Sequence, residues 1–273
     1  MTLGLFDLAF VGSLQSAPLW TPAAITTALW LDAADASTVF TTDTGSTLAT
    51  NGSAVGRWND KSGNGFHLLQ ATSGRRPTYT TNLVNGKNGI TFTAASSHYL
   101  ERIGGNWGTS YMAMTVCRTN VASTGQSVLA TRSTASGNPI NPQISISATD
   151  QTQFAVRDDS SSIISNSINS HPVNSWVLMG GARNGNSATT YRDGTAGTTG
   201  TATLGTISTT TTSVGALHTG TTTVYTFFSG NIAEIVIGPL ASLQKVEGYL
   251  AHKWGLTANL PSDHPYKTVG PTP

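Results

Sequence analysis

Hydrophobic and polar residues alternate along most of this chain, which is the pattern of β-strands with one buried face. Ile90 and Phe92 fall on one face of a predicted strand, with threonines on the other. Met112, Met114 and Val116 repeat the pattern. Turn residues separate many such segments, and helices do not alternate with them as they would in parallel-sheet units. The pattern predicts an all-β protein, a two-sheet antiparallel sandwich or jelly roll.

One segment near the C-terminus departs from this period of two. Leu243, Val246, Leu250 and Trp254 recur at helical spacing, which predicts a short amphipathic helix. Ser242 stands where a residue could cap its N-terminus. A single late helix is an unusual addition to an all-β chain, so it narrows the choice of fold.

Three further segments give local expectations. Residues 175–179 are apolar on both faces, which predicts a central strand covered on both sides. The Asp-Gly pair at 193–194 predicts a tight hairpin turn. The Thr- and Gly-rich stretch 195–212 is too β-prone to be disordered, and Leu204 and Ile207 suggest one short strand within it.

Composition limits the partners. Of 273 residues, 38% are hydrophobic and 10% are charged, against about 25% charged in an average soluble domain. Thr, Ser, Asn and Gly must therefore supply much of the polar surface. The net charge of +1 gives no electrostatic reason to expect nucleic acid or an anionic membrane as a partner. The sequence contains no run of about 18 apolar residues, the length that would suggest a membrane span.

The first 22 residues differ from the rest, and we expect residues 1–22 to form an arm beside a single domain at 23–273. The arm is either an added edge strand or a docking segment for another subunit. It has no Lys or Arg before its apolar part and contains Asp7, which argues against a secretory signal peptide. The docking interpretation depends on its apolar residues Leu5, Phe6, Leu8, Phe10 and Val11.

Several ordered motifs carry a family resemblance. They are Leu-Trp-Leu-Asp at 29–32, Trp-Asn-Asp-Lys-Ser-Gly-Asn-Gly at 58–65, Gly-Asn-Ile-Ala-Glu-Ile at 230–235, Lys-Val-Glu-Gly-Tyr-Leu-Ala-His-Lys-Trp-Gly-Leu at 245–256 and Leu-Pro-Ser-Asp-His-Pro-Tyr at 260–266. Together they resemble the laminin-G-like, concanavalin A-like lectin domains of bacterial surface proteins and phage virion proteins, over roughly residues 28–267. The resemblance implies two antiparallel sheets packed as a jelly-roll sandwich.

The turn at 58–65 has two interpretations. Asp60 and Asn64 can bond their own backbone, while Gly63 and Gly65 permit positive φ and Trp58 packs beneath. Alternatively, Asp60 and Asn64 supply oxygen ligands to Ca²⁺, which takes 6–8 oxygens, more than one short loop offers. We favour the structural interpretation, and we expect no cofactor.

Catalytic patterns are scarce. Glycosidases need two carboxylates across the scissile bond, yet Glu234 has no second carboxylate two or four residues away. The six histidines form no zinc-type pair. Cys117 lies in an alternating stretch, which favours a buried structural thiol. We expect no enzymatic activity; a glycan hydrolase using Glu234 and a distant carboxylate is a further alternative.

Glycan sites combine aromatic faces with polar donors and acceptors, and three predicted loops offer both. The candidate glycan-binding residues in these loops are His98, Tyr99, Asn106, Trp107, Tyr191 and Asp193. The alternative for each aromatic is packing in the core or at its rim. Trp30, Trp176 and Trp254 we assign to the core.

The resemblance, the missing export signal and the neutral Thr/Gly-rich surface together favour a non-enzymatic phage virion surface protein. It would decorate the head or belong to a tail or fibre. Its expected partners are other virion subunits, further copies of itself in a homo-oligomer, and host surface glycans. The principal alternative is a carbohydrate-binding module or adhesin that recognises host glycans.

Overall fold

The computed structural model describes residues 17–133, 135, 138–218 and 223–273. The predicted docking residues from Leu5 to Val11 therefore lie outside the described residues. The part of the predicted arm that is described, 17–22, packs on the domain: Trp20 is 2% exposed, and its backbone N–H donates to the carbonyl of Pro271.

The described part of the chain contains nineteen strands, numbered in chain order, and one α-helix. The strands are β1 (Leu29–Asp32), β2 (Val39–Phe40), β3 (Arg57–Trp58), β4 (Leu68–Leu69), β5 (Thr78–Val84), β6 (Lys87–Phe92), β7 (Leu100–Ile103), β8 (Ser110–Thr119), β9 (Gln126–Arg132), β10 (Ile140–Ile146), β11 (Thr152–Arg157), β12 (Ile163–Ile168), β13 (Val177–Asn184), β14 (Ser187–Arg192), β15 (Thr195–Thr201), β16 (Thr211–Val214), β17 (Leu217–His218), β18 (Val224–Tyr225) and β19 (Gly230–Gly238). The helix is α1 (Leu243–Trp254), and single 3₁₀ turns occupy Pro22–Ala24, Ala36–Thr38, Ser73–Arg75, Ala94–Ser96, Leu240–Ser242 and Thr257–Asn259.

Two large antiparallel sheets form the layers. The eight-stranded sheet runs β15-β14-β13-β8-β19-β6-β5, and β1 pairs with the later half of β19. The nine-stranded sheet runs β12-β11-β10-β9-β16-β7-β4-β3-β2, and β17 and β18 form a separate hairpin. The predicted all-β, two-sheet antiparallel sandwich with one C-terminal helix is confirmed.

The main core lies between the two sheets. Leu100, Val214 and Leu129 follow one another across the nine-stranded sheet in register, and all are buried. The facing sheet contributes Cys117, whose burial raises the pKa of its thiol and confirms it as an interior residue. Gly181, in β13, has no side chain because the Phe154 ring of the opposite sheet fills that space.

A second core covers the outer face of the eight-stranded sheet. Helix α1, Trp20 and Leu260 pack there on residues such as Met112 and Met114. Trp30 and Trp254 are buried, as predicted, whereas Trp176 is only partly buried at the edge of this cluster. Helix α1 therefore covers part of the outer face of the eight-stranded sheet.

Local predictions had mixed outcomes. Asp193 and Gly194 both have positive φ (51° and 76°) and join β14 to β15, so the predicted Asp-Gly hairpin is confirmed. The strand suggested around Leu204 and Ile207 is wrong: both lie between β15 and β16, with their side chains packed on the main core. Ser242 stands at the N-cap position but makes no side-chain cap bond.

Within the described ranges, the chain has no helix of the length and apolar character that a membrane crossing needs.

Candidate functional site

Glu234 lies at the centre of a buried polar cluster between β19 and α1. Its Oε1 accepts hydrogen bonds from Trp30 Nε1 (2.7 Å) and Tyr249 Oη (2.9 Å). Its Oε2 accepts from Trp254 Nε1 (2.6 Å) and lies 2.7 Å from Lys253 Nζ. Glu234 is 0% exposed. Both carboxylate oxygens are therefore used inside the protein, where they tie α1 to the sheet.

Charges extend this cluster toward the surface. Asp32 lies directly opposite Glu234 on β1, and its carboxylate bonds Lys253 Nζ (2.7 Å) and Lys61 Nζ (2.9 Å). Burial raises the pKa of Glu234, and repulsion from Asp32 adds to this, while Lys253 lowers it. Two carboxylates thus come together, but a lysine separates them and the helix covers them, so this pair leaves no space for a glycan.

The outer face of the nine-stranded sheet is arranged differently. Because opposite residues in an antiparallel ladder share a face, the register places Leu69, Glu101, Ser213, Ala130 and Gln143 in one row across β4, β7, β16, β9 and β10. The side chains of this row point away from the main core. Leu129 and Ile144 enter that core from the opposite face of the same sheet. Apart from Leu69, the row consists of small, polar and charged residues.

The β17–β18 hairpin lies across the middle of this face. The Ser213 hydroxyl donates to the carbonyl of Ala216 (2.8 Å) and accepts from the backbone N–H of His218 (3.2 Å). On the second strand of the hairpin, Tyr225 Oη bonds Arg132 Nη1, and the guanidinium carbon lies 5.6 Å from the ring centroid. These contacts fix the hairpin to β9 and β16 and divide the face in two.

On the β7 side of the hairpin lies a pocket of about 550 Å³. Its walls combine aliphatic, acidic, hydroxyl and imidazole side chains. They include Asp43, Leu69, Glu101, Ile103, Thr211 and His218. Glu101 Oε2 and His218 Nδ1 are in contact across the pocket, and Ile103 is 84% exposed at its edge. An apolar surface therefore lies beside groups that donate and accept hydrogen bonds.

On the β10 side lies a smaller depression of about 270 Å³ with a neutral polar lining. Gln143, Ser145, Gln153 and Thr226 contribute amide and hydroxyl groups to it. Gln143 is positioned by a bond from its side-chain N–H to Ser127 Oγ (2.9 Å). Pockets that bind small ligands usually join apolar surface to a few fixed polar groups, and together the two depressions provide both.

Trp107 and Asn106, predicted as glycan contacts, lie in the loop between β7 and β8. The indole N–H of Trp107 donates to Thr131 Oγ1 (2.8 Å), and its ring packs edge-on against Phe66, 5.3 Å between centroids. Asn106 is exposed, and its side-chain oxygen caps the backbone N–H of Gly108. Trp107 is thus half-buried by internal packing, and glycan binding by this loop stays a prediction.

His98 and Tyr99 lie immediately before β7. Tyr99 is 5% exposed, and its ring centroid lies 5.7 Å from that of His218, behind the wall of the larger pocket. His98 is half-buried, which lowers the pKa of its imidazole. Of the predicted residues, Tyr99 is therefore the one that the structure brings beside the pocket, as a support for His218.

Tyr191 and Asp193 are far from this face in the fold, at the end of β14 in the eight-stranded sheet. Tyr191 packs against the second core, and Asp193 accepts a bond from the backbone N–H of Leu178 (2.9 Å). Burial raises the pKa of Asp193. The three predicted loops therefore do not form one site.

Asp60 and Asn64 hold the turn at 58–65 in place. Asp60 accepts from the backbone N–H groups of Trp30 (3.0 Å) and Phe66 (3.0 Å) and from Ser62. Asn64 donates to backbone carbonyls near the start of β1. These hydrogen bonds to the backbone are of the kind that the structural interpretation of the turn at 58–65 predicts. The described residues include no group of three or more His, Cys, Asp or Glu side chains that could hold a metal ion.

No protein-family model matches this chain, and no curated protein matches it in sequence. Among solved structures, Trypanosoma rangeli sialidase in complex with sialic acid is 10% identical, with a TM-score of 0.50; the match covers 87% of this chain and 36% of that chain. The binding domain of botulinum neurotoxin DC in complex with SialylT is 13% identical over 78% of this chain and 47% of that chain, with a TM-score of 0.49. The Ruminococcus gnavus IT-sialidase CBM40 bound to α2,3-sialyllactose is 12% identical, covering 48% of this chain and 76% of that chain, with a TM-score of 0.42. This chain spans about a third of the trypanosomal sialidase, and the likeness shows the fold, a two-sheet β-sandwich.

Proposed function

We propose that this protein binds glycans through the outer face of its nine-stranded sheet, without cleaving them. The observation that carries the proposal is the larger pocket, where exposed Ile103 adjoins the polar groups of Glu101, His218 and Thr211. Sugars present apolar C–H faces and hydroxyl edges, so a surface with both kinds of group suits them.

The position of the pocket supports this proposal. The outer face of the other sheet carries α1 and the second core, whereas the face with the pocket is crossed only in part by the β17–β18 hairpin. The sialidase structure that this fold resembles holds sialic acid, which supports a saccharide as the class of ligand.

The burial and bonding of Glu234 support binding without hydrolysis. Its carboxylate is enclosed by Trp30, Trp254 and Tyr249 and is not exposed. In the larger pocket, Glu101 is already paired with His218. A glycosidase needs a second carboxyl group about 5–9.5 Å away across the bond that breaks, and Asp43, the other acid of that pocket, is paired with Arg76.

A place on the surface of a phage virion stays a prediction. It depended on the apolar arm, whose docking residues lie outside the described residues, and on a family resemblance. Virion subunits and further copies of this chain as partners remain predictions for the same reason.

Replacing Ile103 with alanine should weaken binding of the best ligand from a glycan array about tenfold, because an exposed aliphatic contact is lost. Calorimetry with the purified full chain measures this. Val269→Ala is the matched control, since Val269 is also an exposed aliphatic (68%) but lies near the C-terminus, away from the nine-stranded sheet. Equal losses in both variants, or none in Ile103→Ala, would place the glycan elsewhere. No glycan binding by the wild-type chain would reject the function.

A further inference from the structure

Two arginines lie on the outer face of the nine-stranded sheet, beside the β17–β18 hairpin. Strand β10 lies between β9 and β11, and its residue Ile140 pairs with Arg132 of β9 on one side and with Arg157 of β11 on the other. Residues opposite each other in a ladder share a face, so both side chains project from the outer face. With two strand spacings between them, their Cα atoms are about 10 Å apart.

Neither arginine has an acidic partner among the described residues. Arg132 bonds Tyr225 through Nη1, while its Nε is buried and has no hydrogen-bond partner. The Arg157 guanidinium has no hydrogen bond or ion pair in the described part of the chain. Burial lowers the pKa of Arg132; Tyr225 opposes this shift, and the positive charge of Arg157 adds to it.

The nearest acids along the chain are engaged elsewhere. Asp158 accepts from the backbone N–H of Gly205 (2.7 Å), and Asp159 accepts from the N–H and hydroxyl of Ser208 (2.9 and 2.7 Å). These bonds hold the segment between β15 and β16 in place. The positive charge of the arginine pair therefore stays uncompensated, in a chain whose net charge is only +1.

Apolar contacts lie at both ends of the same row. Ile103 and Thr211 continue it on one side of Arg132, and Ile163, which is 39% exposed, pairs with Arg157 on the other. A guanidinium recognises planar or tetrahedral oxyanions through paired N–H donors, and it binds them more strongly than it binds neutral oxygens.

We propose that the Arg132–Arg157 pair binds the acidic group of a glycan, so that the ligands of this face are saccharides bearing a carboxylate or a sulfate ester. This inference rests on the proposed function and narrows its substrate class. The sugar ring would contact Ile103 or Ile163, and the anion would bridge the guanidinium groups beside Tyr225.

The test compares three probes of equal length by calorimetry: a galacturonic acid trisaccharide, a sulfated galactose trisaccharide and neutral galactotriose. The Arg157→Ala variant should lose at least about tenfold in affinity for the acidic probe that wild type prefers, and nothing for the neutral one. Because Arg157 makes no internal bond, this variant should keep the wild-type Tm. Arg75→Ala is the control, since Arg75 is exposed in the 3₁₀ turn Ser73–Arg75, outside the strands of the face.

The outcomes separate the two proposals. Preference for the carboxylated or the sulfated probe identifies the anion, and in either case the preference should weaken with added salt. Neutral galactotriose binding as tightly as both acidic probes, or Arg157→Ala binding them like wild type, would overturn the acidic-ligand inference and leave glycan binding standing. No binding of these probes or of any array glycan would overturn both.

Discussion

Replacing Glu234 with alanine is expected to lower the free energy of unfolding by about 3–5 kcal/mol, the usual cost of removing one partner from a buried ion pair. Two indole N–H groups, from Trp30 and Trp254, would lose their acceptor at once, and Lys253 would keep Asp32 as an acidic partner but lose Glu234. Urea unfolding of the purified chain gives the value. Because the cluster joins β19 to α1, the loss should appear as a lower midpoint of one cooperative transition.

The Glu234→Gln variant serves as the matched control. Its amide oxygen can still accept from one indole, so the expected loss is smaller, though the charge that faces Lys253 is gone. A loss below about 1 kcal/mol for Glu234→Ala would contradict the structural role. Glycan binding should survive in both variants at temperatures where they are folded, because the cluster lies under α1, on the opposite side of the sandwich from the binding face.

Acidification should destabilise the protein by up to about 3 kcal/mol through one histidine, as a pKa difference of one corresponds to 1.36 kcal/mol. His171 is buried, with Nδ1 against Thr152 Oγ1 (2.7 Å). Burial, aided by Arg192 and opposed by Asp150, lowers the pKa of His171 from 6.5 to about 4. The unfolded chain therefore takes up this proton from about pH 6.5 downward, while the folded chain does not until about pH 4. Stability from this group is complete above pH 6.5 and is lost as the pH falls to about 4.

Two measurements check the histidine prediction. Urea unfolding at several pH values between 7.5 and 4 should show a smaller acid-induced loss for His171→Gln than for wild type. An NMR titration of the wild-type imidazole should give a pKa well below 6.5. A ring that titrates near 6.5, with the same acid-induced loss in both proteins, would contradict it.

Much of the fold could be predicted because local patterns encode it. Alternation at Met112, Met114 and Val116 predicts the strand β8, but both faces of that strand are buried: these three residues pack in the second core under α1, while Cys117 enters the main core. The Asp193–Gly194 turn and the spacing within α1 are equally local signals. Leu204 and Ile207 misled because apolar residues also anchor an irregular segment to a core.

The proposed binding face, the outer face of the nine-stranded sheet, could not be predicted in the same way, because the pairing of strands distant in sequence creates it. Glu101, Gln143 and Arg157 share a face only through the pairing of β7, β16, β9, β10 and β11. The sequence shows no spacing that reveals these neighbours. Sequence reasoning instead selected aromatic loops, and the Trp107 ring turned out to be half-buried by Phe66 and the main core. Likewise, Asp32 and Glu234 are 202 positions apart, a pairing that β1 and β19 alone bring about.

Blocking the binding face chemically tests the central claim most directly. Cys117 is fully buried, and burial raises the pKa of its thiol, so a maleimide attached to polyethylene glycol should not modify the folded wild-type chain. The reagent can therefore be attached to a cysteine introduced at either of two positions. Ile103→Cys lies beside the larger pocket, and Thr198→Cys is exposed on β15 of the eight-stranded sheet. We expect the labelled Ile103→Cys protein to lose glycan binding and the labelled Thr198→Cys protein to keep it. Full binding by labelled Ile103→Cys would contradict a glycan site on the nine-stranded sheet.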